Sequence, residues 1–201
     1  MSVIVNASTS TGLGITSDNS GSVEIQSNGT TKLTVLSTGV SGTVTLATAQ
    51  ASTSGTSIDF TGIPSWAKRI TVMFNGVSTN GTSNYLLQIG SGSIETTGYL
   101  SHVIAVQTGA TSSGGNTNAS GLQVTVAINA ITDLYNGHLV LINMGSNLWI
   151  SSHNIGNTIA SRQNVGSGSK TTAGPLDRIR LTTVNGTDTF DAGSINIMYE
   201  G

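Results

Sequence analysis

The sequence predicts an all-β protein, an antiparallel β-sandwich (jelly-roll-like) preceded by a thin β-hairpin N-terminal arm. Three observations carry that prediction. Short runs alternate apolar and polar residues at period two, the mark of a half-buried strand. Asn-Gly, Gly-Pro-type and Ser/Thr/Gly turn signals separate these runs at short spacing, and no helical periodicity persists beyond two turns. The composition, finally, holds 26 glycines and 58 serines plus threonines, poor helix material and good turn and strand material.

The same composition narrows the function classes. The chain of 201 residues is long enough for one domain with a sizeable core, or a domain plus an arm. Only 8% of residues are charged, against roughly 25% in an ordinary soluble domain. Leu, Ile, Val and Phe number 50, which argues against disorder. Net charge is -2 and the seven Lys plus Arg are scattered apart from Lys68-Arg69, so no nucleic-acid-binding patch is expected. There is no cysteine, which removes disulfides and thiolate chemistry. The first residues, MSVIVNASTSTG, lack the basic and long apolar regions of a signal peptide, and no apolar run approaches the ~20 residues of a membrane span.

In chain order, residues 1–50 read as a β-rich arm. Val3, Ile4 and Val5 form a short apolar run. Val23 and Ile25 alternate with polar neighbours, Asn28-Gly29 turns, and Leu33 and Val35 alternate back, a predicted hairpin. Val40, Val44 and Leu46 continue the pattern weakly. A lone hairpin is marginal in water, so the arm needs further copies, the following domain or a partner to cover its apolar face. Residues 47–56, ATAQASTSGT, have no period and mark the boundary as a linker or strand lead-in, leaving 51–201 as the second domain.

That domain opens with Ile58 and Phe60 in one run and Ile70, Val72 and Phe74 in the next, joined by a corner at Gly62-Ile63-Pro64. Proline cannot donate a ladder hydrogen bond, which places it in the turn. Strands are expected at Tyr85–Ile89, from Tyr99 to Val106, at Leu122–Val126, Leu139–Met144, Asn147–Ile155, Leu176–Val184 and Ile195–Tyr199. Residues 109–120 and 156–174 read as long polar loops, and 127–134 fits a short helix or a continued strand equally. The total is about eight strands.

No catalytic, cofactor or metal motif is complete. There is no G-x-S-x-G, H-E-x-x-H, P-loop or G-x-G-x-x-G; Gly90-Ser91-Gly92 and Gly166-Ser167-Gly168 read as turns. His102, His138 and His153 lack paired spacing for zinc. Asp188 and Asp191 have the residue type for a calcium loop or a carboxylate pair, but read first as capping their own turn; Asp59, Asp133 and Asp177 read as similar turn or edge residues. Trp149 admits two readings, a core residue or, with Tyr135, His138 and His153, a platform for a sugar ring. Trp66 reads as core or interface.

Three segments resemble phage virion proteins of the fibre type: TSGTSIDFTGIPSWAKRITVMFNGVSTNGTSNY from Thr53 to Tyr85 with IETTGYL from Ile94 to Leu100, LDRIRLTTVNGTDTFDAGSINIMYE from Leu176 to Glu200, and the hairpin-like SDNSGSVEIQSNGTTKLTVLSTG from Ser17 to Gly39. The resemblance implies a non-enzymatic structural protein of the virion, a tail fibre, head fibre or capsid decoration, commonly homotrimeric. It would have no cofactor, contact other capsid or tail proteins, and touch host-surface glycan through its outward domain. Val3, Ile4, Val5, Val23, Ile25, Leu33 and Val35 would then serve particle attachment or trimerisation. The alternative is a glycan-binding receptor-recognition module of a tail fibre.

Overall fold

The computed structural model describes residues 44–109, 114–126 and 128–201 with their side chains, and three earlier strands as backbone. The chain divides into two units, Met1–Thr43 and Val44–Gly201. In the first, β1 (Ser22–Ser27), β2 (Thr30–Leu36) and β3 (Gly39–Ser41) form a three-stranded antiparallel sheet in that order. The register sets Val23 opposite Val35 and Ile25 opposite Leu33, with Ser27 opposite Thr30 across the Asn28-Gly29 position. The predicted hairpin is therefore present. Val3, Ile4 and Val5 lie outside the described residues.

Among its described residues the second unit holds fourteen strands and no helix. They begin with β4 (Val44–Leu46), β5 (Gln50–Ala51), β6 (Ser57–Thr61), β7 (Arg69–Thr79) and β8 (Tyr85–Ser91). Next come β9 (Ser93–Ile94), β10 (Leu100–Gln107), β11 (Gly114–Asn118), β12 (Leu122–Gln123) and β13 (Tyr135–Gly145). The last four are β14 (Leu148–Asn157), β15 (Arg162–Thr171), β16 (Arg178–Thr183) and β17 (Phe190–Glu200).

A large sheet runs β11-β10-β15-β14-β13-β7-β17-β4, with β5 also on β17, and a small sheet runs β12-β8-β16-β6, with β9 on β8. Counting β5, β6, β7, β8, β12, β13, β16 and β17 as an eight-strand frame, the sheets read 1-8-3-6 and 2-7-4-5. That is the order of a double-sheet jelly roll. Two insertions, β9–β11 and β14–β15, supply the strands that extend the large sheet beyond β13.

The core lies between the sheets. Ile70, Val72, Phe74, Leu139, Leu141, Ile195 and Ile197 from the large sheet meet Ile58, Phe60, Leu87, Ile89, Ile179 and Leu181 from the small one. Each such side chain contributes about 1.5–3 kcal/mol by leaving water. Register makes the small-sheet contribution continuous: Ile179 pairs with both Phe60 and Ile89, and Leu181 with both Ile58 and Leu87. At one end Tyr85 meets Tyr135 edge-on at 5.2 Å and Phe190 at 5.9 Å. The Gly62–Pro64 corner carries the chain from the small sheet to the large one, as its proline requires, and Ala67 N donates to Pro64 O at 3.0 Å. Trp66, 44% exposed, leans on Tyr199 with ring centroids 5.6 Å apart.

Several expectations need correction. The stretch 156–174, read as a polar loop, contains the ten-residue strand β15, paired with β10 and β14 along its length. Residues 114–118, also read as loop, form β11. Residues 128–134 are irregular, neither helix nor strand. Val44–Leu46, read with the arm, pairs with β17, and the stretch after it is tied to the same strand and to β6 through Ser52 Oγ to Ala192 O (2.7 Å) and Gln50 Nε2 to Asp59 O (2.7 Å).

Candidate functional site

The extension of the large sheet, β14, β15, β10 and β11, is where the candidate residues gather. Its inner face carries Trp149, Ser151, His153 and Ile155 from β14 and Asn164, Gly166, Gly168 and Lys170 from β15. What covers this face is the segment 122–126, only two residues of which are strand. Backbone buried outside a ladder needs side-chain partners, and the sheet provides them. Ser101 Oγ accepts from Gln123 N at 2.8 Å, and Asn164 Oδ1 accepts from Val126 N at 2.9 Å. Asn164 Nδ2 donates in turn to Ile155 O at 3.2 Å.

His153 belongs to this seam. It is 6% exposed and its ring lies against Gly166, where any side chain would overlap it. Desolvation pushes its pKa down to about 4, with a hydrogen bond to the Val124 backbone opposing. Nε2 has no hydrogen-bond partner among the described residues. Next to the seam Lys170 Nζ pairs with Glu95 Oε2 at 2.6 Å and sits 5.5 Å from the centre of the Tyr99 ring. Burial alone would raise the Glu95 carboxyl. The Lys170 hydrogen bond, the Ala173 N–H and the Lys170 charge together outweigh it and hold the group below its usual value.

The sugar platform expected from Trp149, Tyr135, His138 and His153 is not assembled. Trp149 (2% exposed), Tyr135 and His153 face the interior, and of the four only His138 is exposed. Trp149 is a core residue, the other reading the sequence offered. Burial, with the charge of Asp133, raises Tyr135 to about 12. Alternation decides the matter: a strand that turns Trp149 inward turns Ile150 outward.

The outward face of the same extension carries an open groove of about 970 Å³. Leu100 and Ile150 supply apolar floor, and His102, Thr117 and Ser167 supply imidazole and hydroxyl groups, while Asn118 Oδ1 accepts from Ser120 N. Sequence reasoning missed it because its residues come from four strands, two of which it read as loop.

The remaining polar candidates serve local structure. Asp188 Oδ2 accepts from Ser83 N at 2.9 Å and Oδ1 from Asn185 Nδ2 at 2.6 Å, while Asp191 accepts from the Ser78 hydroxyl. Asp133 accepts from Asn129 N and Ala130 N, and Asp59 grips Arg180 through two bonds of 2.7 and 2.6 Å. Asp177 pairs with Arg178 and accepts from Gly92 N. Gly166-Ser167-Gly168 is mid-strand in β15, not a turn. Among the described residues no group of three or more His, Asp or Glu is placed to hold a metal ion. No known protein family, curated protein or solved structure matches the chain.

Proposed function

We propose that this chain is a structural, non-enzymatic component of a phage particle, a short fibre or decoration protein acting as a homotrimer. Its first unit anchors to other virion proteins or joins copies together, and the jelly roll is displayed outward toward the host surface. The observation that carries the reading is how the resembling segments are used. Thr53–Tyr85 forms β6 and β7, Leu176–Glu200 forms β16 and β17, and these pair with each other, β6 with β16 and β7 with β17. Two of the segments on which the resemblance rests thus supply frame strands 2, 3, 7 and 8 of one sandwich. Many copies on one particle would make weak surface contacts count through avidity. The test is to locate the chain on purified particles by mass spectrometry and antibody labelling in electron micrographs. Particles that lack it would overturn the proposal.

A second reading, a glycan-binding module, is favoured by the groove over Leu100 and Ile150, with its hydroxyl rim. On that reading Ser167→Ala and Thr117→Ala would weaken glycan-array binding by roughly tenfold each, the loss of about one hydrogen bond. Equal array signal from wild type and variants would remove it.

A further inference from the structure

We propose that the outer face of the large sheet is the surface through which copies of this chain associate. The inference deepens the virion reading, on which it rests for its biological setting, by adding a two-fold contact between copies through one face of the jelly roll.

The two outer faces of the molecule differ in kind. Twelve large apolar side chains are exposed among the described residues. Seven of them lie on the outward face of the large sheet, among them Val44, Leu46, Leu100, Ile142, Ile150 and Val165. None lies in a strand of the small sheet. The small sheet's outer face instead carries Asp59, Arg178 and Arg180. Register places the apolar residues in rows. One row crosses from Val44 through Glu200, Arg69, Ile142, Ile150 and Ser169 to Leu100. In this row and its two neighbours the only formal charges are Arg69 and Glu200, paired at 3.1 Å. A surface depleted of charge and rich in apolar side chains is what the centre of an interface looks like, and monomers rarely leave one open.

The chemistry selects another copy as the occupant. Arg69 and Glu200 are adjacent and opposite, so the patch has no net charge, and a sister patch turned to face it can set Arg69 toward Glu200. Self-complementarity of this kind is what a two-fold contact requires, so this face joins copies two by two, in addition to whatever contact closes the homotrimer. The size also fits. Seven strands at ~4.8 Å spacing and three rows at about 7 Å give a footprint on the order of 700 Å², near the ~800 Å² each partner contributes to a standard interface.

The experiment measures the mass of the full-length chain by light scattering across a concentration series. Wild type is expected to be oligomeric. Ile142→Asp and Ile150→Asp are each expected to lower the mass at equal concentration, whereas Val184→Asp, exposed outside this face, leaves it unchanged. A monomeric wild type overturns the proposal, as do well-folded face variants that keep wild-type mass. If the variants do not fold, hydroxyl-radical footprinting of wild type decides. Ile142 and Ile150 should be protected several-fold relative to Ile159 and Val184, and equal labelling overturns the inference. A monomer that binds glycan on the array makes the face a ligand surface instead, which also overturns it. Locating the chain on particles is a separate measurement, so the face can fail while the virion reading stands.

Discussion

His153 carries the clearest consequence at the scale of one residue. Its folded pKa, about 4, lies below the ordinary 6.5, so the folded protein binds fewer protons than the unfolded chain between those values. Stability is therefore complete above pH 6.5, falls as pH drops toward 4, and loses nothing more from this group below that. The shift corresponds to about 3 kcal/mol at full extent. Urea unfolding at pH 7 and pH 4.5 should show that loss in wild type and a visibly smaller one in His153→Gln; identical pH dependence would contradict the assignment. Lys170 is the second case. It is the cation beside the partly buried Glu95, and Lys170→Met leaves that carboxylate without its ion partner. The expected cost is about 1–3 kcal/mol, recovered in part by Glu95→Gln in the same chain, as a double-mutant cycle would reveal.

Single elements show which parts of the fold are readable in the amino acids. Strands β7, β16 and β17 were legible because one face of each sits in the apolar core, so Ile70-Val72-Phe74, Ile179-Leu181 and Ile195-Ile197 alternate cleanly. β15 was not, for an equally physical reason. Its inward positions are Arg162, Asn164, Gly166, Gly168 and Lys170, while Val165 points out. Inward residues there meet backbone that needs hydrogen bonds and a histidine ring that needs room, so the hydrophobic signal is inverted. Gly168 makes this testable. A Cβ there would stand 2.5 Å from the Leu100 carbonyl oxygen and 2.7 Å from Leu122 Cδ2. Gly168→Val should cost about 1–3 kcal/mol or more by overpacking, measured by urea unfolding, whereas Ser167→Val on the open face should stay within about 0.5 kcal/mol. The candidate site was lost with the strand: without β15 and β11 there is no groove, and Trp149 drew attention to the wrong face of β14.

For the molecule as a whole, the sandwich class was legible from period and turns, but the order 1-8-3-6 over 2-7-4-5 was not. Which strand lies beside which depends on contacts between residues far apart in the chain, and alternation reports only that each strand has an inside. The same limit applied to the two outer faces. That one is nearly uncharged and the other carries Asp59, Arg178 and Arg180 becomes visible only when strands are set side by side.

The position of β17 has a further consequence. It lies between β7 and the pair β4 and β5, so the last strand of this unit to leave the ribosome fills a gap between its first strands. Until residues 190–200 emerge, β7 has an open edge and Val72 and Phe74 lack their cross-strand neighbours Ile197 and Ile195. Folding of this unit should therefore wait until residue 200 has left the ribosome, as expected where pairing is non-local. A nascent chain stalled after residue 189 should be digested rapidly by added protease, and one tethered by a linker after residue 201 should resist; equal resistance would show that the sheet closes without its eighth frame strand.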